Sequence, residues 1–368
     1  MDILAIDHVE FYVGDARQAA FVLCNAFGFQ LCGQGGPETG LAGQRTLLLC
    51  HGGSRVMLTS ALHPKHPAAE FVARHGDGVG VIAFGSGDVA TDYAEAVDGG
   101  AVPIEPPRVY GREVATAGAV TMATVSGFGD VAHRLVQRRG HEVEGFLPGA
   151  IQPGGTEPEP DMPGLVQAID HAAVCVPPGE LEPTVRYYCD VFGFRPVFEE
   201  YIEIGEQGMF SQVVQSPSGG VTFTLIQPDI SRRPGQIDDF LSWHDGPGVQ
   251  HLALSTTDIV GAVRTLSARG VGFAFTPDGY YDTLPGRLGE TDIPVGLLRE
   301  HGILADRDHW GRMYQIFAKS LHVRNTYFWE LIERRGARTF GTNNIPALYE
   351  AKERELAAVR DTSRAAAR

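Results

Sequence analysis

The sequence predicts an α+β protein of two similar halves, each built from tandem β-α-β-β-β units, and three observations carry that prediction. Apolar segments of strand length and alternation follow one another around helix-period stretches in the order strand, helix, strands. The same order begins again within a half, and several of its segments recur in the second half. Between the halves lies 141–164, whose middle from Glu144 to Pro160 is too rich in proline and glycine for a core element. The expected division is an N-terminal domain over 1–140, a linker over 141–164 and a C-terminal domain over 165–368.

Each element has its own signal. Ile6 to Val13 alternates well enough for a half-buried strand, and the helical stretch Ala16 to Phe27 stops at Gly28. Thr46 to Cys50 and Arg55 to Thr59, joined by His51-Gly52-Gly53-Ser54, form a hairpin. His66 to His75 is helical, and Val79 to Phe84 opens a second round that continues with the helix Val89 to Val97. Arg108 to Val114, Ala119 to Val125 and Asp130 to Gln137 complete the first half. At the far end, Ile345 to Val359 forms a helix able to lid a pocket with Ile345, Leu348 and Tyr349, and the polar tail 360–368 frays.

The repeat between the halves is the strongest organisational feature. Ile6-Asp7-His8 recurs as Ile169-Asp170-His171, and Phe27-Gly28-Phe29 as Phe192-Gly193-Phe194. Gly76-Asp77-Gly78-Val79-Gly80-Val81 recurs as Gly246-Pro247-Gly248-Val249-Gln250-His251, and the run from Val131 to Arg138 as that from Tyr327 to Arg334. His171 follows His8 by 163 positions, whereas Glu330 follows Arg134 by 196, so the second half has grown by insertions.

Composition bounds the function. Acidic residues outnumber basic ones, 45 to 30, and the net charge of -15 excludes a phosphate-backbone partner such as nucleic acid. No apolar run approaches the length of a membrane span, and Met1-Asp2-Ile3-Leu4 lacks a basic leader. The five cysteines, Cys24, Cys32, Cys50, Cys175 and Cys189, include no CxxC pair and are expected to be reduced and mostly buried in a cytoplasmic protein.

His171, His251 and Glu330 stand out as a candidate metal site. A lone strand histidine is usually a satisfied core or surface residue, and His51, His63, His66, His75, His141, His244, His301, His309 and His322 are read so. The three candidates differ because each lies in a strand alternating towards one interior, where an unpaired carboxylate is costly and a metal would meet it. Two imidazoles and a carboxylate form the ligand set of a non-haem Fe(II) oxygenase. The first half is an internal control: its counterparts are His8, Val81 and Arg134, and neither valine nor arginine ligates a divalent cation. One half carries chemistry and the other is scaffold.

The Ile-Asp-His start, Gly-Pro-Gly-Val-Gln-His-Leu-Ala-Leu from Gly246, Gly-Arg-Met-Tyr-Gln-Ile-Phe-Ala-Lys-Ser from Gly311, Tyr327 to Arg334 and the run Phe340 to Ala351 resemble the vicinal oxygen chelate superfamily. More closely they resemble its 4-hydroxyphenylpyruvate dioxygenase and 4-hydroxymandelate synthase members, over nearly the whole chain. The resemblance implies half-barrel sheets, Fe(II) held by His171, His251 and Glu330, and an aryl 2-oxo acid that reacts with O2 by oxidative decarboxylation. Ring attack then gives homogentisate, and benzylic attack 4-hydroxymandelate. Thr224 and Ile226 depart from the Pro-Leu-Asn-Glu-Pro-like run of ring-hydroxylating members, and Ile345 and Tyr349 stand where those favour phenylalanine. These departures point to the mandelate-forming side.

Further implied site residues are Gln236, Gln250, Gln315, Ser211 and Asn344 as polar groups orienting the substrate, with Phe317, Phe328 and Phe340 as aromatic walls. For each, ordinary core packing is the competing reading. A homodimer is allowed but not specified. An extradiol ring-cleaving dioxygenase and a non-enzymatic ligand-binding member of the superfamily remain as rivals.

Overall fold

The protein is described from a computed structural model over residues 1–111, 118–139, 145–154, 165–344 and 347. The first half runs β1 (Ile3–Tyr12), α1 (Ala16–Phe27), β2 (Gln30–Gly35), β3 (Gln44–His51), β4 (Ser54–Ala61), α2 (Pro67–His75), β5 (Gly78–Ser86), α3 (Val89–Asp98), β6 (Pro103–Tyr110), β7 (Ala119–Ser126), β8 (Ala132–Arg139) and β9 (Gln152–Pro153). The second runs β10 (Ile169–Cys175), α4 (Leu181–Phe192), β11 (Arg195–Ile204), β12 (Gln207–Gln215), β13 (Thr222–Pro228), α5 (Gln236–His244), β14 (Gly248–Ser255), α6 (Ile259–Ala268), α7 (Asp278–Leu288), α8 (Val295–His301), β15 (Leu304–Arg307), β16 (Arg312–Phe317) and β17 (Phe328–Arg335).

Each half forms one curled sheet. The orders are β6-β7-β8-β5-β1-β4-β3-β2-β9 and β11-β12-β13-β10-β14-β17-β16-β15. Read from β2 to β6, the first is the second read from β11 to β15. The repeat of Phe-Gly-Phe has a local reason: α1 and α4 both end on a left-handed glycine, Gly28 at φ 75° and Gly193 at φ 67°, which turns the chain back so that the phenylalanines on either side enter the core. The insertion inferred from the changing offset is α7 and α8, placed between α6 and β15, where the first half passes directly from α3 to β6.

Residues 145–154 differ from the expectation of a segment without a core element. They add β9 to the edge strand β2 and bury Leu147, Ala150 and Ile151 against Leu48, Met57 and Ala83 on the first sheet. Gly145 at φ 87° and Gly149 at φ 80° supply the turns that composition announced, while the apolar residues between them do the packing. The expected strand end at 112–114, the rest of the linker and the C-terminal helix with its tail lie outside the described residues, apart from Ala347, which is helical. Of the cysteines only Cys175 is fully buried; the other four are half-buried, and none of the five is in a disulfide.

The halves share one core, sealed by equivalent residues on equivalent strands. Trp329 of β17 packs on Phe11, Phe27 and Phe29 of the first half, with ring centroids 5.9, 5.8 and 6.1 Å away. His133 of β8, one residue before Arg134 as Trp329 is before Glu330, packs on Phe192 and Phe223 of the second half at 5.3 and 5.8 Å. Its Nδ1 donates to the Ile82 carbonyl at 3.3 Å, so its Nε2 accepts from the Tyr188 hydroxyl at 2.7 Å. His244 of α5 stacks on His75 of α2, 4.2 Å apart, beside Asp130 and Arg74.

Burial holds His133 down to about 3, and burial with the neighbouring His75 ring holds His244 down to about 4. Both groups bind protons more weakly folded than unfolded, so their contribution to stability is fully present above pH 6.5 and is lost as the pH falls towards the folded values. Each adds a slope of up to about 1.4 kcal/mol per pH unit in that window. Chemical denaturation between pH 7.5 and 5 should therefore show falling stability, with a shallower fall in His133→Phe; an equal slope in the variant would remove His133 from the cause.

Candidate metal centre and active site

Strand register carries the three candidate ligands to one face. Directly paired residues share a face, as do alternate residues along a strand. Across β10 and β14, His171 pairs with Ala253 and Ala173 with His251; across β14 and β17, Ala253 pairs with Glu330 and His251 with Phe328. His171, His251 and Glu330 therefore project from three adjacent strands onto the inner face of the second sheet. Their ligating atoms lie within 4.8 Å of one another, the one such cluster of histidine, cysteine and carboxylate groups among the described residues. Glu330 Oε2 is 3.4 Å from His171 Nε2 and 3.3 Å from His251 Nε2.

Each imidazole is oriented by its other nitrogen. His171 Nδ1 lies 2.8 Å from Asp170 Oδ1, and Asp170 is clamped by Arg334, whose Nε and Nη2 each donate at 2.8 Å. His251 Nδ1 faces Gln250 Oε1 at 3.3 Å. Alternation would send Gln250 to the opposite face, but the register slips between Ala173 and Val174, and this bulge lets consecutive residues serve one site. Nε2 of both rings is left to point inward beside a carboxylate oxygen, an arrangement that fits a divalent cation. Burial disfavours the Glu330 carboxylate, yet the two imidazoles hold it down to about 2, and Asp170 and Glu330 draw His171 up to about 9 against its own burial. The Glu330 and Asp170 carboxylates are thus ionised on either side of the His171 ring.

Asp170→Asn keeps the shape but removes the charge that fixes His171. It is expected to weaken metal binding by about 10–100-fold, read by metal titration of the apoprotein. Unchanged affinity would mean that Asp170 only braces Arg334.

Three phenylalanines pack on the two imidazoles. Phe328 stacks on His251 at 5.0 Å and 23°, Phe317 meets that ring edge-on at 5.8 Å, and Phe340 meets His171 edge-on at 5.0 Å. Gln315 pairs with Ile332 and lies on the same face as Phe317 and Glu330. Thr224 pairs with Ala173, and Ser211 with Ile226, again on that face. Asn344 is fully buried, its Oδ1 accepting from the Tyr280 hydroxyl at 2.7 Å. Gln315 Oε1, Asn344 Nδ2 and Thr224 Oγ1 are buried without hydrogen-bond partners among the described residues. Gln236 is the exception: it opens α5 in an exposed position, and no hydrogen bond joins it to the cluster among the described residues. Ile345 and Tyr349 lie outside the described residues.

Sequence reading gave no role to Asp170, Arg334 or Tyr280. The first two had a signal, since Asp7 and Arg138 repeat them: Asp7 lies 2.7 Å from His8, and Arg138 clamps it through two contacts of 2.8 Å. Phe146 even repeats Phe340, edge-on to His8 at 5.1 Å and 4.6 Å below Arg138. Tyr280 sits on the inserted α7 and has no counterpart to reveal it. In the first half Arg134 donates at 2.6 Å to Glu10, which pairs with Val81 as Ala173 pairs with His251. The supporting residues survive there, while a guanidinium on the chain supplies the positive charge.

Matching curled sheets with a two-histidine, one-carboxylate cluster on one of them define a vicinal oxygen chelate protein of two domains. The family model of the Glyoxalase/Bleomycin resistance protein/Dioxygenase superfamily matches residues 5–128 and 168–285. A 4-hydroxyphenylpyruvate dioxygenase of Yarrowia lipolytica is 33% identical over 366 residues, covering 95% of this chain and 92% of that protein. One from Xenopus tropicalis is 33% identical, covering 95% and 91%. The structure of a triple mutant of 4-hydroxymandelate synthase from Streptomyces coelicolor superposes with a TM-score of 0.84 at 43% identity, covering 96% of this chain and 99% of that one. The chain belongs to this superfamily and, within it, to the enzyme family that 4-hydroxyphenylpyruvate dioxygenases and 4-hydroxymandelate synthases form. No helix among the described residues is long and apolar enough to cross a membrane.

Proposed function

We propose that the protein, through its half 165–368, converts 4-hydroxyphenylpyruvate and O2 into 4-hydroxymandelate and CO2, with Fe(II) held by His171, His251 and Glu330. The observation that carries this reading is the buried ligand cluster on a sheet face that is apolar at Ala173, Cys175 and Ile226 and carries, at Gln315 and Thr224, buried polar atoms without hydrogen-bond partners among the described residues. Bound Fe(II) would supply a Lewis acid for the 2-oxo acid and a centre for O2 activation.

The chain's own residues do the rest. Phe317, Phe328 and Phe340 wall the ligands from water. Gln315 and Asn344 offer an acceptor and a donor to the polar end of the substrate, with Asn344 pre-oriented by Tyr280. Ile226 gives the ring an apolar neighbour in place of an amide and leaves its position to packing. The acidic chain, with its five cysteines outside any disulfide, is read as cytoplasmic.

Homogentisate formation is the second reading, favoured by the names of the relatives at 33% identity. Incubating the Fe(II)-loaded protein with 4-hydroxyphenylpyruvate and O2, then identifying the product by chromatography and mass, separates the two. Homogentisate overturns the product assignment, and no turnover of any aryl pyruvate overturns the class. Ile226→Asn combined with Ile345→Phe is expected to divert part of the product towards homogentisate; an unchanged ratio counts against those positions.

A further inference from the structure

We propose that Glu200 accepts a hydrogen bond from a hydroxyl at the far end of the aryl ring, so that it selects 4-hydroxyaryl over unsubstituted aryl 2-oxo acids. This rests on the substrate class proposed above and adds a specificity residue to it.

The register lays out the surface on which such a ligand would lie. Glu200 of β11 pairs with Ser211 of β12, Ser211 with Ile226 of β13, and Ile226 with Cys175 of β10. These residues form a row across the inner face, next to the row that runs from His251 through Ala173 to Thr224. The face is polar at the metal end, apolar at Ala173, Cys175 and Ile226, which belong to one buried cluster with Ile237 and Phe240 of α5, and polar again at Ser211 and Glu200. A molecule with a polar group at each end of an aromatic ring matches that sequence of surfaces.

The segment 340–344 roofs the same span. Phe340 touches His171, Thr342 hydrogen-bonds Glu200, Asn343 donates from its backbone N–H to Asp306 at 3.0 Å, and Asn344 is held by Tyr280. One chain segment thus reaches from a metal ligand to the edge strand that carries Glu200.

Glu200 is incompletely satisfied there. Its Oε2 is buried and has no hydrogen-bond partner among the described residues, a condition native structures seldom leave to a carboxylate unless a ligand or water completes it. Asp306, the other acid near the roof, is already engaged by Asn343 and by the Arg307 N–H. Burial raises the Glu200 carboxyl above its ordinary range, with Asp306 adding to the effect, and a more basic carboxylate is the better acceptor for a phenol.

The test measures anaerobic binding of 4-hydroxyphenylpyruvate and phenylpyruvate to the full Fe(II)-loaded chain, and kcat/KM for both in air, in wild type, Glu200→Leu, Glu200→Gln and Thr342→Val. Wild type should prefer the hydroxylated acid by about 10–100-fold, the range of one charge-assisted hydrogen bond. Glu200→Leu should reduce that preference to within about threefold by losing only the hydroxylated ligand, with Glu200→Gln between them. Thr342→Val should keep the preference. An unchanged preference in Glu200→Leu, or equal losses on both acids, overturns the assignment. A loss of preference in Thr342→Val as large as in Glu200→Leu shows that Glu200 acts by holding the roof, which also overturns it. If wild type binds neither acid, the proposed function fails and the Glu200 assignment fails with it.

Discussion

Replacing His251 with alanine is expected to strip the protein of its metal and to lower turnover by more than the about 10–100-fold that the loss of an outer partner costs. The reason lies in the geometry: Glu330 Oε2 is 3.3 Å from His251 and 3.4 Å from His171, and the loss of one imidazole leaves a two-point site. Elemental analysis of purified wild type and variant gives the metal content, and product formation gives the rate. The first half provides a control within the same molecule. His8 is the counterpart of His171, equally buried and equally tied to an aspartate, but it faces Arg134 and Glu10. His8→Ala should keep wild-type metal content. Full metal retention in His251→Ala, or metal loss in His8→Ala, would refute the assignment of the centre to the second sheet.

The next largest effect is expected at Arg134. Its guanidinium donates to Glu10 at 2.6 Å, and Glu10 is 3% exposed, with its other oxygen accepting from Thr59 at 2.6 Å. Arg134→Met leaves that carboxylate buried with no countercharge and should destabilise the protein by about 3–5 kcal/mol. Adding Glu10→Leu removes the stranded charge, and the double variant should recover most of the loss. Chemical denaturation of the two variants, with metal content followed in parallel, checks both statements. A single variant as stable as wild type, or a double variant no better than the single, would show that the pair does not act as the first half's internal cation site.

The comparison of the halves explains how much of the site was legible. His171, His251 and Glu330 could be read because ligation demands particular residue types, and because the replacement of two of the three in the first half marked the difference between a site and a scaffold. Phe317, Phe328 and Phe340 came from resemblance, and each packs on one of the two histidines. Gln236, named on the same grounds, opens α5 at the surface, because a shared motif position does not fix where a helix N-terminus lies relative to a sheet. Tyr280 and Glu200 had no signal: one is on an insertion without a counterpart, and the other is an acid in a strand where Glu199, Glu200 and Glu203 look alike in sequence. Only pairing with Ser211 shows which of them faces inward.

By itself, then, the sequence determined the α+β class, the doubled strand order, the candidate ligand set and the half in which that set is intact. Hydrophobic period and segment repetition carry that information locally. Tertiary structure decided what depends on register and curvature. It gathered residues 79 or more positions apart within 4.8 Å, turned Gln250 towards His251 through a bulge, folded 145–154 onto the first sheet, and drew 340–344 over the second. Alternation says which residues share a face, but the distance between two points on that face is set by how far the sheet curls and which strands lie between them.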